Sequence, residues 1–253
     1  MKTIILTLLA FLTTLAAVGV GLYYYRVRAA APAASGVVIR DRSDSVTSGC
    51  GCTTTLAKQA LRDRNLTKGS MLTVIATGDR ATADEPTLIA GYDVPATRQA
   101  IEGRNAMLRK RQELLTDLQS KCEQLSVTDR SPIVLAVKRA IERLRASGCR
   151  NESGCFVYVQ SDGQETAEPA IRQLLASRSM DDRSPSLLLI DNDGIDVVFY
   201  GLSDTRGEEL STGRRRLITR TRGADRADHL RAVWLSLVKH PERVSFEPFC
   251  PKD

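Results

Sequence analysis

Short apolar runs of strand length alternate along the chain with longer stretches whose apolar residues recur every three or four positions. Val37-Val38-Ile39, Met71 to Ala76 and Cys155-Phe156-Val157-Tyr158-Val159-Gln160 are near-continuous apolar runs rich in β-branched and aromatic residues. That composition suits strands covered on both faces. Thr87 to Tyr92 reads as a short edge strand closed by Asp93-Val94-Pro95, and Ile195 to Tyr200 as a further strand. Val244-Ser245-Phe246 reads as a last extended piece. Helical periodicity covers Leu56 to about Leu66, the long charged stretch 97–125, a helix opening at Ser131, Glu168 to Ser177, and Asp225 to Lys239. Strands alternating with helices predict an α/β domain built on a parallel sheet.

The helices differ in how much they can bury. Ile133, Val134, Val137, Ile141 and Leu144 make a broad apolar face that should pack on the sheet, and Leu230, Trp234, Leu235 and Val238 mark the last helix. Over 97–125, Ile101, Met107, Leu114, Leu115, Leu118 and Leu125 give only a narrow stripe. A helix of that kind lies on the surface with one face attached, or serves as a partner-binding arm.

The first 28 residues follow another pattern. Ile4 to Leu22 is apolar apart from threonines and glycines, and Tyr23-Tyr24-Tyr25-Arg26-Val27-Arg28 follows. A run of about 20 apolar residues spans a bilayer core, with Tyr and Arg suited to the interface. Residues 1–28 are therefore expected to be a single membrane anchor, with a cleaved signal peptide as the rival reading because Ala and Ser dominate 29–35. Residues 29–35 form an Ala/Pro linker, and 36–250 a single domain of ample size for a core.

Charge changes the picture little. The net charge is +6, of which Lys2, Arg26 and Arg28 lie in a segment without acidic residues, so the remainder carries +3. With 5% aromatic residues, this is not a nucleic-acid-binding profile. Arg214-Arg215-Arg216 reads as a solvated loop. Cysteine usage says more: six, at 50, 52, 122, 149, 155 and 250, behind an export-like N-terminus favour an oxidising compartment. Their spacings form no pair of CxxC knuckles, and with only His229 and His240 available a mixed Cys/His zinc site is not expected. Cys149 and Cys155 bracket a polar loop that a disulfide could close, but spacing leaves the full connectivity open.

Candidate chemistry begins where the first strand ends, at Asp41-Arg42-Ser43-Asp44-Ser45. Side chains two apart along a strand point the same way, so a carboxylate and two hydroxyls can converge. Hard divalent cations prefer such oxygens. The central strand Cys155 to Gln160 runs into Ser161-Asp162-Gly163. In an open parallel sheet, ligands sit just outside the carboxyl ends of the strands. Asp-x-Ser-x-Ser after the first strand, with Ser-Asp-Gly after a central one, resembles the von Willebrand factor type A domain and its metal-ion-dependent adhesion site. A third loop of that family supplies a Thr, commonly before Pro-Leu at a helix start. Here Ser131-Pro132-Ile133 matches with Ser in place of Thr, and Thr128 competes for the position. The resemblance covers roughly residues 36 to 249, and the long segment before Ser131 fits it poorly.

The resemblance implies a doubly wound, mostly parallel sheet flanked by helices. It also implies a site in which Asp41, Ser43, Ser45, Ser131 and Asp162 hold Mg²⁺, or Mn²⁺ or Ca²⁺. Such a domain is expected to bind a protein ligand whose acidic side chain completes the metal shell, and not to catalyse. It would be a single-pass membrane protein with its domain in the periplasmic or extracellular space. A reversed anchor would place the cysteines in a reducing compartment and favour an assembly role. Two other readings stand beside it: a scaffold without metal, and a metal-dependent phosphoester hydrolase using Asp41 or Asp191 as nucleophile, for which no suitably placed Lys follows either strand. A strand over Leu187 to Ile190 running into Asp191-Asn192-Asp193-Gly194 resembles the nucleophile motif of haloacid-dehalogenase-like phosphatases, but that fold carries the motif on its first strand. Asn192-Asp193-Gly194 reads instead as a turn before the next strand. Asp204, Thr205, Asp228 and His229 read as surface polar residues.

Overall fold

The computed structural model describes residues 34–43, 46, 49–63, 66, 70–93, 100–149, 154–176, 190–202, 227–247 and 249–251, together with Val18. Ala34–Asp253 forms one compact unit and Met1–Ala33 another. The expected anchor over 1–28 apart from Val18, most of the 29–35 linker, Leu187 to Leu189, Asp204, Thr205 and Arg214 to Arg216 lie outside the described residues. Among the described residues no helix is long and apolar enough to cross a membrane.

Six strands form one sheet: β1 (Gly36–Arg40), β2 (Met71–Ala76), β3 (Thr87–Asp93), β4 (Cys155–Gln160), β5 (Ile195–Tyr200) and β6 (Val244–Glu247). The order is β3-β2-β1-β4-β5-β6. All pairings are parallel except β2 with β3, so β3 is an antiparallel edge. The chain therefore winds outward from β1 in one direction and, after crossing to β4, in the other. This mixed sheet fits a von Willebrand type A or Rossmann-like α/β architecture.

The runs that read as buried strands are buried because the pleat splits them between two cores. Val37, Ile39, Val157, Val159, Val197 and Phe199 join one core with helices α3 (Ile133–Ala146), α4 (Pro169–Ala176) and α5 (227–237). Their neighbours Val38, Phe156, Tyr158 and Tyr200 join the other with α1 (Gly49–Asp63) and α2 (Ala100–Gln124). Period-2 alternation distributes each strand over both faces, so a continuous apolar run is what this sheet requires.

Three elements depart from expectation. Helix α1 begins at Gly49, seven residues ahead of the Leu56 start that its apolar spacing suggests. Two disulfides, Cys50–Cys122 and Cys52–Cys250, clamp that Gly- and Thr-rich turn, and the Thr54 hydroxyl donates to the Cys50 carbonyl at 2.9 Å. In α5 the buried side chains are Leu230, Val233, Trp234 and Leu237, with Leu235 half-buried. Positions 230, 234 and 237 follow the helical repeat that 235 leaves. Ile190 forms an isolated bridge with Val238 rather than belonging to a sheet strand. Helix α2 attaches as its stripe implies, burying Leu114, Leu118 and Cys122 while Leu108 stays exposed.

Candidate metal centre

The sheet turns its two halves apart between β1 and β4, and there the two strand ends come together. Register pairs Arg40 with Gln160, so Asp41 and Ser161, each one residue further on, emerge side by side. Pairing continues briefly beyond both strands: the Asp41 N–H donates to the Gln160 carbonyl at 2.9 Å, and the Ser161 N–H to the Tyr200 carbonyl at 3.0 Å. The Thr53 hydroxyl of α1 donates to Gln160 Oε1 beneath them. Asp41 is thus fixed as firmly as a strand residue.

Its carboxylate is 2% exposed and collects three donors. Oδ2 accepts from the Ser131 hydroxyl at 2.6 Å and from the Ser161 hydroxyl at 2.7 Å, and Oδ1 accepts from the Ser43 N–H at 3.0 Å. Burial pushes the Asp41 carboxyl above its ordinary range; the Ser131, Ser161 and Ser43 hydrogen bonds pull against that, and the nearby charge of Asp162 adds to it. A buried negative charge repelled by a second carboxylate gains most from a cation placed between them.

Of the five residues expected here, four are described. Asp41 and Ser131 are in direct contact, Ser43 lies buried two residues along, and Asp162 is close enough for its charge to act on Asp41. Ser45 lies outside the described residues. Of the two candidates for the third hydroxyl, Ser131 is the one whose hydroxyl meets Asp41. Thr128 instead spends its hydroxyl on the Arg130 carbonyl at 2.6 Å, and its N–H on the Arg42 carbonyl at 3.0 Å. Asp191 precedes β5 and so sits at the opposite end of the sheet from Asp41. It pairs there with Arg145 at 3.1 Å and Lys239 at 3.6 Å. The two alternative nucleophiles share no site. Asp228 pairs with Arg231, and His229 faces the Leu174 carbonyl.

Ser161, part of the Ser-Asp-Gly motif but not of the expected ligand set, joins the site because its register places it beside Asp41 once β1 pairs with β4. Glu165 and Thr166 have no such signal. Both lie in the loop after Asp162 and bond across to the start of α3. The same loop is held from the far side by Trp234, whose indole N–H donates to the Gly163 carbonyl at 2.9 Å. Gly163 has φ +81°, and a Cβ there would lie 2.8 Å from Leu202 Cδ1 and 3.2 Å from Trp234 Nε1, so the turn carrying Asp162 requires glycine.

Among the described residues no group of three His, Cys, Asp or Glu side chains could hold a metal. A cation here would rest on hydroxyls, Asp41, Asp162 and water. That donor set suits a hard divalent ion: the Ser131 hydroxyl donates its hydrogen bond to Asp41, which leaves its oxygen lone pairs for a cation.

No family model matches the chain, and no curated protein matches it. Among solved structures it is similar to the crystal structure of manganese-loaded Plasmodium vivax TRAP protein, at 11% identity and a TM-score of 0.35, over 66% of this chain and 57% of that one. This chain thus spans less than two thirds of that structure's length. What the fold and site define is a class: an α/β domain with a polar cluster at the switch point of its sheet.

All six cysteines are paired, as Cys50–Cys122, Cys52–Cys250 and the expected Cys149–Cys155. Such a set belongs to an oxidising compartment.

Proposed function

We propose that this chain is a von Willebrand type A-like binding module, held at a membrane by residues 1–28, that engages an acidic group of a protein partner through a divalent ion. Asp41, Ser43, Ser45, Ser131 and Asp162 would hold Mg²⁺ or Mn²⁺, with Ca²⁺ the other candidate. The observation that carries this reading is the Ser131 hydroxyl donating to buried Asp41 at 2.6 Å, beside Asp162, at the switch point of the sheet. Asp41 orients hydroxyls by accepting their hydrogen bonds, and Asp162 supplies a second negative charge. When bound, the ion would supply an electrophilic position for the partner's carboxylate. The disulfides support an extracytoplasmic location, and the role is binding rather than catalysis.

The test is calorimetric titration of the full chain with Mg²⁺ and Mn²⁺ beside Asp41→Ala. Saturable binding is expected in the parent and loss of it in the variant. Absence of binding in both would reject the free-protein metal site. It would favour the scaffold reading, which has its own observation: the Asp41 carboxylate already has three hydrogen-bond donors from the protein.

A further inference from the structure

Helix α3 begins without a cap of its own: Pro132 occupies the cap position and no side chain of its own segment bonds the first turn. The first N–H groups of a helix need acceptors. Here Glu165, from the Asp162 loop and 2% exposed, supplies one across the site, with Oε2 accepting from the Val134 N–H at 2.8 Å. Its other oxygen accepts from the N–H groups of Ala167 at 2.7 Å and Glu168 at 3.1 Å, so one carboxylate ties the start of α3 to the entry of α4. The charge also complements the positive end of the α3 dipole. Beside it, Thr166 and Ser131 bond reciprocally: the Ser131 N–H donates to Thr166 Oγ1 at 2.7 Å, and the Thr166 N–H to the Ser131 carbonyl at 3.2 Å.

Ser131, Val134, Glu165 and Thr166 lie on the two segments that bring Ser131 and Asp162 to the site, and the segments are far apart in the chain. We infer that Glu165 and Thr166 are positioning residues: a two-point latch that makes the Ser131 turn and the Asp162 loop one rigid unit, and so holds the Ser131 hydroxyl on Asp41. They touch no ligand in this account. Glu165 fixes the helix start, and Thr166 fixes the backbone of Ser131 itself. The consequence for metal affinity rests on the reading given under Proposed function; the latch does not. Supporting groups of this kind typically change metal affinity by about 10- to 100-fold when removed.

Thr166→Val keeps size and branching but removes the acceptor for the Ser131 N–H, whereas Thr166→Ser keeps it. Val197→Ala, in the core of β5 away from the latch, serves as a control for general loss of stability. Two readouts are taken on the full chain: amide hydrogen exchange over 131–134 and 163–168, and affinity for Mn²⁺ alone. In Thr166→Val both segments should lose protection together and Mn²⁺ affinity should fall by about 10-fold or more. Thr166→Ser should restore both, and Val197→Ala should leave the affinity unchanged. Independent exchange of the two segments, or parental Mn²⁺ affinity in Thr166→Val, would overturn the latch. Should the parent bind no Mn²⁺, the metal reading falls, and exchange alone decides: joint loss of protection supports the latch and separate behaviour rejects it.

Discussion

Asp41 is the residue on which the site turns, and its titration can be followed without any ligand. Burial raises its carboxyl above the ordinary range, with the Asp162 charge adding and the hydroxyls of Ser131 and Ser161 and the Ser43 N–H opposing. A carboxyl whose folded pKa is raised holds its proton more tightly in the folded state. Its contribution to stability is therefore complete below the unfolded value, about 4, and lost as pH rises through the folded value. The melting temperature of the parent minus that of Asp41→Asn should accordingly fall between acidic and neutral pH. Parallel profiles for the two proteins would mean that Asp41 is not the group responsible.

At the scale of elements, α2 shows how a mostly polar helix is held. Its apolar residues are too few for a broad interface, yet Leu114 and Leu118 are almost completely buried in the layer the helix shares with α1 and β3. Leu108 on the same helix is 52% exposed. Leu118→Ala should cost about 2–5 kcal/mol in denaturant unfolding, because it opens a cavity in that layer. Leu108→Ala should stay within about 0.5 kcal/mol of the parent. Equal effects would mean that the helix is not attached along the stripe. This much could be read from spacing alone: the narrow stripe that includes Leu114 and Leu118 predicts a surface helix with one face attached. The start of α1 could not, since Gly49-Cys50-Gly51-Cys52 carries no helical signal until its disulfide partners are known.

At the scale of the molecule, two disulfides meet on the first turn of α1. Cys50 reaches Cys122 near the end of α2, and Cys52 reaches Cys250 near the end of the chain, 198 residues away. The third, Cys149–Cys155, closes a separation of only 6. If cross-links act by restricting the unfolded chain, the long loop matters more. Replacing Cys52 and Cys250 together by Ser should cost about 5 kcal/mol, and replacing Cys149 and Cys155 about 2 kcal/mol, on that account. Urea unfolding of the two double variants checks the ranking, and a reversed order would show that native-state packing around the bridges outweighs loop entropy.

Local pattern was enough to place the parallel strands, most helices and both aspartates, Asp41 and Asp162, because each depends on nearest neighbours and on the period of burial. Asp41-x-Ser43 follows the first strand, and Asp162 follows a central one, in any register. The chemistry that surrounds Asp41 was legible only in part. Ser131 stands 90 residues from it and Ser161 stands 120 away, and their bonds depend on how β1 lies against β4 and where α3 begins. The choice of Ser131 over Thr128, the supporting roles of Glu165 and Thr166, two of the three disulfides and the antiparallel turn of β3 all followed from that assembly. A side chain's type and spacing set what it can donate or accept; contacts between distant segments set which partner it meets.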